Sequence, residues 1–148
     1  MAGAARTRVA ALEGWFTLED PPHLLGSRCR VCGTYYFPRL RGFCRNPDCE
    51  SAEFEAVPLS RTGRLWSYTN ACYQPPAPYV SVEPFVPFGI AAVELAEERL
   101  IVLGQLASGV ELGRLRIGMP VELILESLYS DAQGEHVVWK WRPLGEPA

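Results

Sequence analysis

Two cysteine pairs, Cys29-x2-Cys32 and Cys44-x4-Cys49, constrain what this chain can fold into more than any other feature. Eleven residues separate the pairs, so all four thiols fall within a window of twenty-one residues. Two thiols at such spacing line one side of a tight loop, a knuckle. A second knuckle facing the first completes a tetrahedron of sulfurs around one metal ion. Gly33, directly after the first pair, permits the turn that aims backbone amides at those sulfurs. The second knuckle is looser, because Asn46-Pro47-Asp48 lengthens it and no glycine follows Cys49. A closed four-sulfur site leaves no position for water or substrate, so the spacing predicts a structural Zn2+ held by Cys29, Cys32, Cys44 and Cys49. Iron suits the same soft ligands and would make a rubredoxin-like electron carrier, red where the zinc protein is colourless.

Five cysteines, an odd number with four in paired spacing, fit metal binding in a reducing compartment better than disulfides, which predicts a cytoplasmic protein. The stretch from Phe85 to Val93 is short and broken by Pro87, so no membrane span is expected. The first 26 residues have Arg6 and Arg8 but no apolar core or cleavage signal of a secretory leader.

The chain divides by texture. Residues 1–27 form an N-terminal segment with a short helical candidate at 8–15, ended by Pro21 and Pro22. Residues 28–58 hold the cysteines and few aliphatic side chains. From Leu59 onward, residues 59–148 read as β-structure, with thirteen prolines and thirteen glycines in the chain excluding long helices. Alternating or continuous apolar runs place strands at 63–73, 88–95, 99–106, 121–129 and 136–142. Glu97-Glu98 makes a tight hairpin, and 108–118 is a glycine-rich connection with one helical turn. Five short antiparallel strands with glycine-rich corners predict a closed barrel of OB type. An open sandwich would leave its edges exposed. The expected fold is therefore mainly β: a helical lead, a zinc ribbon and a five-stranded barrel.

Between the first two barrel strands, residues 74–87 contain five prolines, which forbid regular pairing and stiffen the segment. Tyr79, Val80, Val82, Phe85 and Val86 are apolar side chains that a solvated loop does not need. They either cover one end of the barrel or form a docking surface for a partner or an apolar ligand.

Chemistry-bearing residues are sparse. His23 and His136 belong to no recognisable nucleophile–base arrangement, and no nucleophile elbow or phosphate-binding loop is present. Cys72 reads as a buried core thiol, since no base or cation accompanies it. The acids are scattered at solvent-facing strand and turn positions. The chain is expected to carry no catalytic machinery of its own. Its charge is uneven, however: Arg28, Arg30, Arg39, Arg41 and Arg45 occur with no acid among them, and thirteen arginines stand against the single Lys140. That run is either a solvated basic face or a site for phosphates or an acidic partner. The interleaved Tyr35, Tyr36, Phe37 and Phe43 also suit single-stranded nucleic acid. The formal net charge of -3 and near absence of lysine argue against that partner.

Taken together, the motifs resemble a known family. A ribbon reading CRVCGTYYFPRLRGFC, a barrel entered by GRLWSYT, and the later VELAEERLIVLGQL and IGMPVEL stretches are similar to the zinc-ribbon/OB-fold family of acyl-CoA-associated proteins. The likeness runs from about Trp15 to Arg142. It implies that the four cysteines are ribbon ligands, although the family's second knuckle is usually shorter and glycine-flanked. It also implies a small partner of a thiolase-superfamily enzyme, an acyl-CoA hydratase or an aldolase, in a hetero-oligomer. The partner would supply cysteine and histidine chemistry on a CoA thioester, while this chain completes the pocket and excludes water. Arg39, Arg41, Arg45, Tyr79 and Phe85 are then the expected contacts with CoA or the partner. A stand-alone acyl-CoA carrier is the remaining alternative.

Overall fold

The computed structural model describes residues 7–81 and 83–144. Val82 and the start of the N-terminal segment, Arg6 included, lie outside the described residues. Nine strands are present: β1 (Arg8–Ala10), β2 (Leu25–Cys29), β3 (Tyr35–Tyr36), β4 (Phe54–Pro58), β5 (Thr62–Ala71), β6 (Phe88–Leu95), β7 (Ile101–Leu106), β8 (Pro120–Asp131) and β9 (Gly134–Pro143). The single helical element among the described residues is a 3-10 turn, Leu112–Arg114, inside the glycine-rich connection where one turn is expected.

Strands β5 to β9 close on themselves. β5 pairs with β6, β6 with β7, β7 with β9, β9 with β8, and β8 returns to β5. All these pairs are antiparallel except β7 with β9. This is the five-stranded OB arrangement, and closure removes the exposed edges an open sheet would carry. Inward positions follow the period-2 alternation: Val102 and Leu106 on β7, Val121 and Leu123 on β8, and Val137, Trp139 and Trp141 on β9 are buried. Gly104 sits between Val102 and Leu106 because the two indoles fill its place. A Cβ there would lie 2.8 Å from Trp139 Nε1 and from Trp141 Cδ1 and Nε1.

The helical lead is not found. Residues 8–10 form β1 instead, running parallel to β9 with Arg8 opposite Glu135 and Ala10 opposite Val137. A helix this short is marginal without tertiary support. The start of β9 extends beyond its pairing with β7 and offers unpaired backbone groups. The Ala11 amide donates to Val137 O at 2.8 Å, and the Glu135 amide to Thr7 O at 2.8 Å. Extended backbone thus satisfies donors and acceptors that a helix would leave open.

The ribbon is a second, three-stranded sheet in the order β3-β2-β4. Its junction with the barrel is aromatic. Trp15 stacks on Trp139 at 6.0 Å, and Phe37 meets both rings edge-on, at 5.6 Å from Trp15 and 5.7 Å from Trp139. Phe16, Leu24 and Leu59 join the same buried cluster as the barrel interior.

Candidate metal centre

The two knuckles are built by backbone. The Cys29 amide donates to Thr34 O at 2.9 Å and the Gly33 amide to Cys29 O at 3.0 Å, closing the first loop. Gly33 takes φ +78°, which a side chain would strain. The Cys49 amide donates to Asn46 O at 2.9 Å and the Cys44 amide to Ser51 O at 2.7 Å, closing the second. The extra residues of that knuckle are absorbed by an Asx turn, with the Asp48 amide donating to Asn46 Oδ1 at 3.0 Å.

These loops bring all four thiols together, with their Sγ atoms within 4.8 Å of one another. Cys29 and Cys49 sulfurs lie 3.8 Å apart, and Cys32 and Cys44 sulfurs 3.6 Å. Sulfurs on a tetrahedron of roughly 2.3 Å bonds stand about 3.8 Å apart, so the cluster fits one ion of that kind. Cys29, Cys44 and Cys49 are buried, while Cys32 is exposed. The ordinary thiol affinity for protons is redistributed across the set. Cys29 is held below the usual thiol range, chiefly by the Cys32 amide. Cys32 is lowered to about 6, first by the Thr34 hydroxyl and then by the Thr34 amide. For Cys49 the Ser51 amide favours the thiolate, but burial and the neighbouring thiols outweigh it and push the group up to about 11. A bound cation supplies the positive charge that lets four thiolates coexist.

Sequence reasoning missed one participant. The Tyr36 hydroxyl donates to Cys44 Sγ at 3.2 Å and accepts the Arg45 amide at 3.1 Å, so it orients a ligand from outside the tetrahedron. The Cys44 sulfur raises the Tyr36 pKa above the usual phenol range. Two adjacent tyrosines in the sequence carry no sign of which one does this.

The other expected contacts fall in three separate places. Arg39 and Arg41 line a hollow of about 460 Å³ with Glu13, Trp15, Ser27 and Glu55. Arg45 lies by Phe43, Asn46 and Pro47 at the metal end. Tyr79 and Phe85 line another hollow of about 460 Å³, between the proline-rich segment and the barrel. There both rings pack on Phe88, at 6.0 and 6.2 Å, and Gln105 Nε2 donates to the Tyr79 hydroxyl at 2.9 Å. Lys140, nearly buried, pairs with Glu126 at 3.3 Å beside this hollow.

Cys72 is exposed just past the end of β5, so the expectation of a buried core thiol is wrong. The strand stops pairing at Ala71 opposite Phe88, and the chain then turns into the proline-rich segment. His23 Nδ1 faces Leu59 O at 3.1 Å, and His136 stacks on Tyr129 and pairs with Asp131 at 2.9 Å.

Two family models match the chain: the ChsH2 rubredoxin-like zinc ribbon domain over residues 17–55 and the ChsH2 C-terminal OB-fold domain over 56–125. A DUF35 domain-containing scaffold protein of Methanocaldococcus jannaschii is 30% identical over 136 residues, covering 90% of each chain. This chain belongs to the DUF35 family. A benzoylsuccinyl-CoA thiolase subunit, BbsA, of Geobacter metallireducens is 36% identical over 105 residues, 70% of this chain and 62% of that one. The solved structure of an Ltp2-ChsH2(DUF35) aldolase superposes with a TM-score of 0.61 at 30% identity, covering 82% of this chain and 84% of that one. All four cysteines of this DUF35 chain lie inside the stretch matched by the zinc-ribbon model. No helix among its described residues is long and apolar enough to cross a membrane.

Proposed function

We propose that this chain is a non-catalytic accessory subunit of an acyl-CoA-processing enzyme of the thiolase superfamily, capping the partner's active site and helping to hold the CoA thioester. One observation carries the reading: relatives that align over most of the chain are named as a scaffold, a thiolase subunit and one component of an aldolase. The specific enzyme we propose is benzoylsuccinyl-CoA thiolase, whose small subunit this chain resembles in its motifs. Cys29, Cys32, Cys44 and Cys49 are the ligands of a structural Zn2+, in keeping with a four-sulfur site with no open position. The thiolates suit a reducing, cytoplasmic setting. The chain acts by shape: it closes the pocket and excludes water while the partner supplies the reacting groups.

The arginine-lined hollow is the candidate for CoA phosphates, because guanidinium groups bind phosphate in paired, charge-assisted hydrogen bonds. Replacing Arg39 and Arg41 with alanine is expected to weaken thioester binding by the complex at least about a hundredfold, each of the two charge-assisted contacts being worth about 1.5–3 kcal/mol. Unchanged thioester affinity and unchanged complex formation would remove both residues from the reading.

The accessory role is tested by purifying the tagged chain from its native host in mild salt. A stoichiometric thiolase-type chain, one zinc per copy, and thioester-cleaving activity absent from either chain alone are the expected results. A chain that emerges alone sinks the proposal, and a salt-sensitive shift of single-stranded RNA or DNA would replace it. A red protein would replace zinc with iron.

A further inference from the structure

The metal end of the ribbon presents an arrangement that the thiolates alone do not require. Val31 sits between the two ligands of the first knuckle, and Phe43 immediately precedes the first ligand of the second. They are 68% and 73% exposed. Scattered exposed apolar residues are ordinary. Here one caps each of two knuckles held by the same four sulfurs, and Gly42 before Phe43 has open space where a Cβ would stand. Arg30 adjoins Val31, and Arg45 stands two residues past Phe43, beside it at the metal end. Both arginines are exposed, and neither has an ion-pair partner among the described residues. Asp48 and Glu50 lie further along the second knuckle and pair with neither of them.

We propose that this tip is the knob by which the chain docks onto its thiolase-type partner, Phe43 and Val31 entering an apolar socket and Arg30 and Arg45 meeting carboxylates on its rim. The proposal rests on the accessory-subunit reading above. Two unpaired guanidinium groups call for carboxylates or phosphates from outside the chain. The two exposed apolar side chains between them decide for a protein: a phosphate gains nothing from covering Phe43, whereas an apolar socket buries it. Aromatic and arginine side chains dominate binding energy at the centres of protein interfaces. The metal holds both tips in place before contact, which lowers the ordering cost of association.

The test uses the complex of the full-length chain with the thiolase-type chain that co-purifies from the native host. Phe43→Ala is expected to weaken association at least tenfold, and the Arg30→Glu/Arg45→Glu double variant about a hundredfold with a flattened salt dependence. Arg114→Glu/Arg116→Glu, an equal charge change on the barrel's exposed connection, stays within about twofold of wild type. One metal per chain, and a cobalt-substituted thiolate absorption like that of wild type, show that each variant keeps its ribbon. Binding within twofold of wild type for Phe43→Ala, with metal retained, overturns the docking assignment while leaving the accessory role intact. Lost thioester affinity with undiminished association also overturns it, in favour of a phosphate site. If the wild-type chain forms no complex, the accessory reading fails and the knob with it.

Discussion

The ribbon and the barrel are both small β-structures, yet they are held together by different physics. The barrel's interior, from Leu65 and Val93 to Trp139 and Trp141, forms most of one buried cluster that Phe16, Leu24 and Leu59 join, around a ladder that closes on itself. The ribbon's own buried cluster is Cys29, Cys44 and Cys49, with Tyr36 and Phe54 packed against it among the described residues. A sheet of three short strands cannot bury enough apolar surface to offset the entropy of ordering its chain. Apart from the contacts that Tyr35, Phe37 and Val57 make with the barrel's cluster, its order is expected to come from the metal, as the barrel's comes from its core.

The sharpest way to break that comparison is to remove the ion. Zinc supplies about 10–16 kcal/mol of apparent binding free energy in small zinc modules at neutral pH, far more than the ribbon's packing can replace. Chelation, or Cys44→Ser, should therefore unfold residues 28–58 completely. Amide hydrogen exchange should show β2, β3 and β4 losing protection while β6 to β9 retain theirs. A ribbon that stays protected after chelation would mean that its apolar contacts suffice. A barrel that unfolds with it would mean the two regions are one cooperative unit.

The aromatic junction offers a subtler probe. Phe37 belongs to the ribbon's side and Trp139 to the barrel, and Trp15 touches both. Phe37→Ala should cost about 2 kcal/mol, below the roughly 3–5 kcal/mol of a fully buried aromatic because the ring is only half-buried. In the metal-free protein the same substitution should cost the barrel almost nothing, because the ribbon no longer holds Phe37 against it. Chemical denaturation of the four species checks this. Equal losses with and without metal would show that the junction persists when the ribbon is unfolded.

The same contrast explains what could be read in advance. The metal cluster was legible because ligand spacing is a local covalent constraint, unaffected by what the rest of the chain does. The barrel strands were legible because burial on one face writes an alternation into the sequence, and β6 falls on the expected Phe88–Leu95. β1 was not legible. Its pattern in isolation fits a helical turn, and what makes it a strand is an open edge of β9, whose residues lie more than a hundred positions away. The candidate contacts were chosen by residue type along the chain, and folding sent Arg39 and Arg41, Arg45, and Tyr79 with Phe85 to three different places. Proximity of that kind depends on turns such as the one at Gly42, which residue type does not encode.

The smallest effect distinguishes the two regions by pH. At the β8–β9 turn, Asp131 Oδ1 lies 2.9 Å from His136 Nε2 and accepts from the Gln133 amide at 2.9 Å. These neighbours, the histidine first, hold the Asp131 carboxyl below its usual range. Because the ionised form is the one favoured in the folded hairpin, its contribution is complete above the ordinary carboxylate range, near pH 4. It is lost as pH falls through the lowered folded value. Asp131→Asn should therefore lower barrel stability slightly at neutral pH and converge with wild type in strong acid. Acid acts on the ribbon by another route, protonating thiolates and releasing the metal, so zinc should leave before the Asp131-dependent loss begins. Denaturant midpoints for both proteins from neutral pH to strong acid, read alongside free zinc, give the order of events. If the two midpoint curves stay parallel throughout, Asp131 contributes no pH-dependent stability to the barrel.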